Sequence, residues 1–73
     1  MRVGEYTIRV YFHDHAPAHV HVIHGTDEIR VTLADLSTST VKGQMNVSNT
    51  RRAVAAVKAN RTALRTLWKE AQK

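Results

Sequence analysis

Tyr6-Thr7-Ile8-Arg9-Val10-Tyr11-Phe12-His13 decides the fold, because Tyr6, Ile8, Val10 and Phe12 alternate with Thr7, Arg9, Tyr11 and His13. A period of two places apolar side chains on one face of a strand and polar ones on the other. The pattern returns twice downstream. After the connector Asp14-His15-Ala16-Pro17-Ala18, whose Pro favours an extended turn, a strand from His19 to about His24 sets Val20 and Val22 against His19 and His21. Gly25-Thr26-Asp27 reads as a hairpin turn, and Glu28 to Leu33 then alternates Ile29, Val31 and Leu33 with Glu28, Arg30 and Thr32. A three-stranded antiparallel meander is expected. Its packing face would hold Ile8, Val10, Phe12, Val20, Val22, Ile29, Val31 and Leu33, and its open face Arg9, Tyr11, His13, His19, His21, Arg30 and Thr32.

Residues 35–46, with Ser37-Thr38-Ser39-Thr40 and Lys42-Gly43-Gln44, read as polar loop with at most a short strand near Val41. Ser48 is the expected helix N-cap, and the chain beyond it is rich in Ala, Leu, Lys and Arg. At 100° per residue, Ala53, Val57, Leu64, Trp68 and Ala71 share one stripe, while Arg51, Lys58, Arg61, Arg65 and Lys69 share another. Asn60, followed by Arg61-Thr62, could cap a second helix. Both stripes keep phase across it, which favours one continuous helix of about 37 Å. The predicted architecture is α+β, a three-stranded sheet packed on a C-terminal helix. With 73 residues the chain is one domain: meander over 1–36, loop over 37–47 and basic amphipathic helix over 48–72.

Net charge is +5, and it is unevenly spread. Up to residue 46, Arg2, Arg9, Arg30 and Lys42 are balanced by Glu5, Asp14, Asp27, Glu28 and Asp35, whereas beyond it Arg51, Arg52, Lys58, Arg61, Arg65, Lys69 and Lys73 face only Glu70. Phosphate backbones or an acidic protein are the natural partners of such a tail, and a solvated face kept charged for solubility is the plainer reading. Cysteine is absent, so no disulfide framework or thiolate chemistry is available. The longest apolar run, Ala53-Val54-Ala55-Ala56-Val57, is far too short for a membrane span, and Met1-Arg2-Val3-Gly4-Glu5 does not open a secretory signal. A cytoplasmic protein without membrane contact is expected. With few acids and no Gly-rich phosphate loop, nucleotide hydrolysis and glycosidase chemistry lack their usual parts.

The run Tyr11-Phe12-His13-Asp14-His15-Ala16-Pro17-Ala18-His19-Val20-His21-Val22 resembles the signature of a family of small bacterial domains of unknown function, DUF4160. Val57, Asn60, Arg61, Leu64 and Trp68 reproduce that family's spacing in the tail, so the resemblance spans nearly the whole chain. Ala16 and Ala18 stand where the family usually has Pro, which implies a looser connector. The resemblance implies a small sheet with a helical tail. It also implies membership of a two-gene toxin–antitoxin pair beside a helix-turn-helix-type partner.

All five histidines fall between His13 and His24. Three kinds of chemistry suit them. The first is metal-independent RNA cleavage, with no cofactor, by the catalytic candidates His19, His21, His13 and His15. One imidazole would take the 2′-OH proton and another would protonate the leaving oxygen. Arg9 or Arg30 would clamp the phosphate, and Arg51, Lys58, Arg61, Arg65 and Lys69 would gather the RNA. In that reading the protein is the toxin of such a pair, with an antitoxin-like or acidic protein partner or a homodimer. The second is a metal site, zinc on His13, His19 and His21, with Asp14 as the available outer carboxylate. The third is a non-catalytic binding module for nucleic acid or an acidic partner, whose His and Arg side chains hydrogen-bond among themselves or to the ligand. Trp68 reads as a core anchor, Tyr11 as either core or stacking platform, and Glu5, Asp27 and Glu28 as ordinary surface.

Overall fold

Antiparallel pairing in the computed structural model, which describes residues 1–73, runs through five strands rather than three. These are β1 (Arg2–Val3), β2 (Tyr6–Arg9), β3 (His19–His24), β4 (Asp27–Thr32) and β5 (Thr38–Lys42), in sheet order β1-β2-β3-β4-β5. Two helices follow, α1 (Val47–Ala59) and α2 (Arg61–Ala71), where one was expected. The class remains α+β, but the three-stranded sheet on a single helix is corrected on both counts.

Each difference has a physical reason. Strand β1 is two residues long and folds back through Gly4, whose φ is 56°, so it is too short to show a period. Strand β5 is exposed at every position and holds on by pairing with β4, with no apolar alternation to betray it. A helix of ~37 Å would overrun the molecule, whose longest dimension is 33 Å. The chain breaks at Asn60 instead, with φ −114° and ψ 18°. The Asn60 side chain donates to the Ala56 carbonyl at 2.9 Å, so the break leaves few groups unpaired. The N-cap is Asn46, not Ser48: its side-chain oxygen accepts the Asn49 N–H at 2.7 Å.

Pairing of Ile8 with Val22 and of Val22 with Ile29 lines up the core face, and Val20 pairs with Val31 one step along. These residues, with Leu33, close on Ala53, Ala56, Val57 and Leu64 of the helices. Helix α1 packs near β4 and α2 near β3, and the Tyr6 hydroxyl ties the sheet to α1 by donating to Asn49 Oδ1 at 3.0 Å. No helix is long and apolar enough to cross a membrane.

The expected first strand ends early. After Arg9 the chain leaves the sheet, turns at Phe12–His13 with a positive φ of 54° at His13, and leaves Phe12 78% exposed instead of in the core. The end of α2 captures it there. The Gln72 carboxamide donates to the Tyr11 carbonyl at 3.0 Å and accepts the Asp14 N–H at 2.7 Å, while His13 N–H donates to the Ala71 carbonyl at 3.3 Å.

Candidate functional site

Strand alternation puts His19 and His21 on the sheet face opposite Val20 and Val22, and the Gln72 clamp delivers Asp14 to the same spot. Asp14 Oδ2 lies 2.8 Å from His19 Nε2 and 3.8 Å from His21 Nε2. The other nitrogen of each ring is also engaged: His19 Nδ1 is 2.8 Å from the Pro17 carbonyl oxygen, and His21 Nδ1 is 2.9 Å from Glu28 Oε2. A carbonyl only accepts, so His19 Nδ1 carries a proton and donates it, and a further proton lies between Nε2 and the Asp14 carboxylate. Asp14 Oδ1 accepts the His15 backbone N–H at 2.8 Å.

Partial burial pushes the Asp14 carboxyl up, but the His15 N–H, the His19 hydrogen bond and the charges of both rings outweigh it and hold the group below its ordinary value. His19 is 2% exposed and lies against Trp68, ring centres 5.0 Å apart. The edge of His21 meets the Tyr11 ring at 4.5 Å, so Tyr11 keeps a place beside the site although it has left the strand. Arg9 and Arg30 stand directly across from His21 on the neighbouring strands.

The candidates from sequence thus separate. His19 and His21 come together, whereas His13 and His15 are exposed on the connector and make no side-chain contact with the pair. The expected zinc set of His13, His19 and His21 is not assembled; Asp14 stands in the place given to His13. Glu28, read as ordinary surface, is the residue that holds His21. It faces His21 from β4 at the diagonal position two residues from the direct cross-strand partner Arg30, a relation visible only once the hairpin register is known. Gln72 gave no signal, since its role depends on α2 ending beside the connector. His24 sits on the other face, with its ring 5.1 Å from that of Tyr6.

On the helices Arg51, Lys58, Arg65 and Lys69 are exposed, while Arg61 is half-buried with its Nε unpartnered. No arginine pairs with a carboxylate, and Lys73, beside Glu70, is the one lysine that does. The carboxylates are spoken for: Asp14, Glu28 and Glu5 by histidines, Asp27 and Asp35 by backbone N–H groups, Glu70 by Lys73.

Fold and site together define a small α+β domain carrying a partly buried histidine–carboxylate cluster on the face of its sheet opposite Val20 and Val22. Residues 6–69 match the family described as Domain of unknown function (DUF4160), and the chain belongs to that family. No curated protein and no solved structure matches it.

Proposed function

We propose that the protein is an RNA-binding module that takes phosphates on its uncompensated arginines, with Arg9 and Arg30 flanking His21 on the sheet and Arg51, Lys58, Arg65 and Lys69 on the helices. One observation carries this reading: every carboxylate already has a partner, and no arginine shares in any of them. Positive charge left unpaired on a small domain is what a polyanion recognises. Tyr11, 38% exposed beside the Arg9 row, adds a ring on which an unpaired base can stack, which favours single-stranded RNA over a duplex.

Metal-independent cleavage by paired imidazoles has less support. Both nitrogens of His19 are engaged and the ring is buried, while His13 and His15 stand apart, so a free acid–base pair is not ready on this face. The toxin role and the antitoxin-like partner rest on the family resemblance, and an acidic partner would compete for the same arginines.

Anisotropy of a labelled single-stranded RNA, titrated with the full chain over a range of salt, tests the reading. Log affinity should fall linearly with log salt at roughly 0.7 per contacted phosphate. The double substitution Arg9→Gln, Arg30→Gln should reduce both affinity and slope. Absence of binding at low salt, or binding indifferent to salt and to these substitutions, refutes it. Following RNA integrity in the same samples, with and without chelator, reads out any cleavage.

A further inference from the structure

We propose that Asp14, His19 and His21 form a binding site for a divalent first-row transition metal ion of the zinc class. The inference rests on the geometry of this cluster and is independent of RNA binding. Asp14 Oδ2 lies 2.8 Å from His19 Nε2 and 3.8 Å from His21 Nε2, and one ligand atom from each of the three residues lies within 4.8 Å of the others. Around a tetrahedral zinc with bonds of about 2.0–2.2 Å, ligand atoms lie ~3.4 Å apart. The present separations from Asp14 Oδ2, 2.8 and 3.8 Å, straddle that value, and the two rings, whose ligand atoms lie within 4.8 Å of each other, would close up on the ion by side-chain rotation.

What distinguishes this cluster from a chance meeting of polar side chains is the state of the atoms that would not touch the metal. A ligating imidazole characteristically donates its other N–H to a carbonyl or carboxylate, which fixes the tautomer and aims the ring. Both rings here are held that way, His19 by the Pro17 carbonyl and His21 by Glu28. The non-ligating oxygen of Asp14 is likewise fixed by the His15 N–H. Three donor atoms therefore face one point with their orientation set from behind, and His21 Nε2, 3.8 Å from the carboxylate, has no hydrogen bond of its own in that direction. On metal binding, the proton between His19 Nε2 and Asp14 would pass to solvent, leaving a neutral imidazole and a carboxylate as ligands.

Two imidazoles and one carboxylate leave at least one coordination position open, the arrangement of sites that act on a substrate rather than of closed structural ones. Arg9 and Arg30 abreast of His21 favour an anion at that position. Asp14 and Glu28 offset their repulsion of the cation.

The test is titration of the chelator-stripped full chain with Co²⁺, read by its visible d–d absorption, and with Zn²⁺, read by calorimetry and by the imidazole proton signals. Expected is saturable one-to-one binding that moves the His19 and His21 signals and leaves those of His13 and His15 in place. His21→Gln and Asp14→Asn, each checked for folding by its circular dichroism, should weaken binding about a hundredfold or more. Glu28→Gln should weaken it about ten- to a hundredfold through its hold on His21. His13→Gln and His15→Gln should bind as the parent does. The proposal is overturned if the parent shows no one-to-one binding, if binding persists in folded Asp14→Asn or His21→Gln, or if it is lost in the His13 or His15 variants, which would place the ion on the exposed connector.

Discussion

Replacing His19 by Ala should destabilise the protein far more than replacing any other histidine, because His19 is the one polar residue in the buried set. The side chain makes two hydrogen bonds, to Pro17 and to Asp14, each worth about 1 kcal/mol, with the charge-assisted one towards the upper end. Removing the ring also leaves a gap against Trp68 that costs roughly 1–2 kcal/mol more. The sum is ~3–4 kcal/mol, and at about 4–8 °C per kcal/mol for a domain of this size the melting temperature should drop by roughly 12–32 °C. His21→Ala gives up one such bond, to Glu28, and should cost about 1 kcal/mol. His13→Ala and His15→Ala, both exposed, should stay within ~0.5 kcal/mol of the parent. Thermal unfolding followed by circular dichroism, with chelator throughout so that no bound ion contributes, gives the comparison. A His19→Ala midpoint within about 4 °C of the parent would show that the ring is not the packed, doubly bonded group described above.

Phe12→Ser should change stability by less than ~0.5 kcal/mol, since the ring is 78% exposed, where a buried Phe truncation costs about 3–5 kcal/mol; denaturant midpoints tell the two apart. Asp35 has its carboxyl held below the ordinary value of 3.8 by the Ser37 N–H. The folded state therefore binds that proton less readily than the unfolded chain. Its contribution is present above the ordinary value and lost as pH falls through the lowered one. Asp35→Asn should flatten the acid limb of the stability profile below that value, and an acid limb identical to the parent's would contradict the assignment.

Much of the framework was legible in the residues themselves. Alternation located β2, β3 and β4 because one face of each is buried, and a buried face forces apolar residues into a period of two. Ala53, Val57, Leu64 and Ala71 marked the helical packing stripe for the same reason, at the helical period. His19 and His21 could be paired from sequence because two residues on a strand two apart must share a face. Tertiary structure decided the rest. Strand β5 is held by backbone pairing that any exposed side chain permits, so its residues carry no mark of it. The break at Asn60 follows from the size of the body the helix must fit, and the loss of Phe12 from the sheet from a competing set of bonds to Ala71 and Gln72 at the far end of the chain. The partners of the histidines follow likewise, since Asp14 arrives through that clamp and Glu28 through the hairpin register. A local pattern records which face of an element is buried; which carboxylate comes to rest beside an imidazole depends on contacts across the whole chain, and no spacing encodes them.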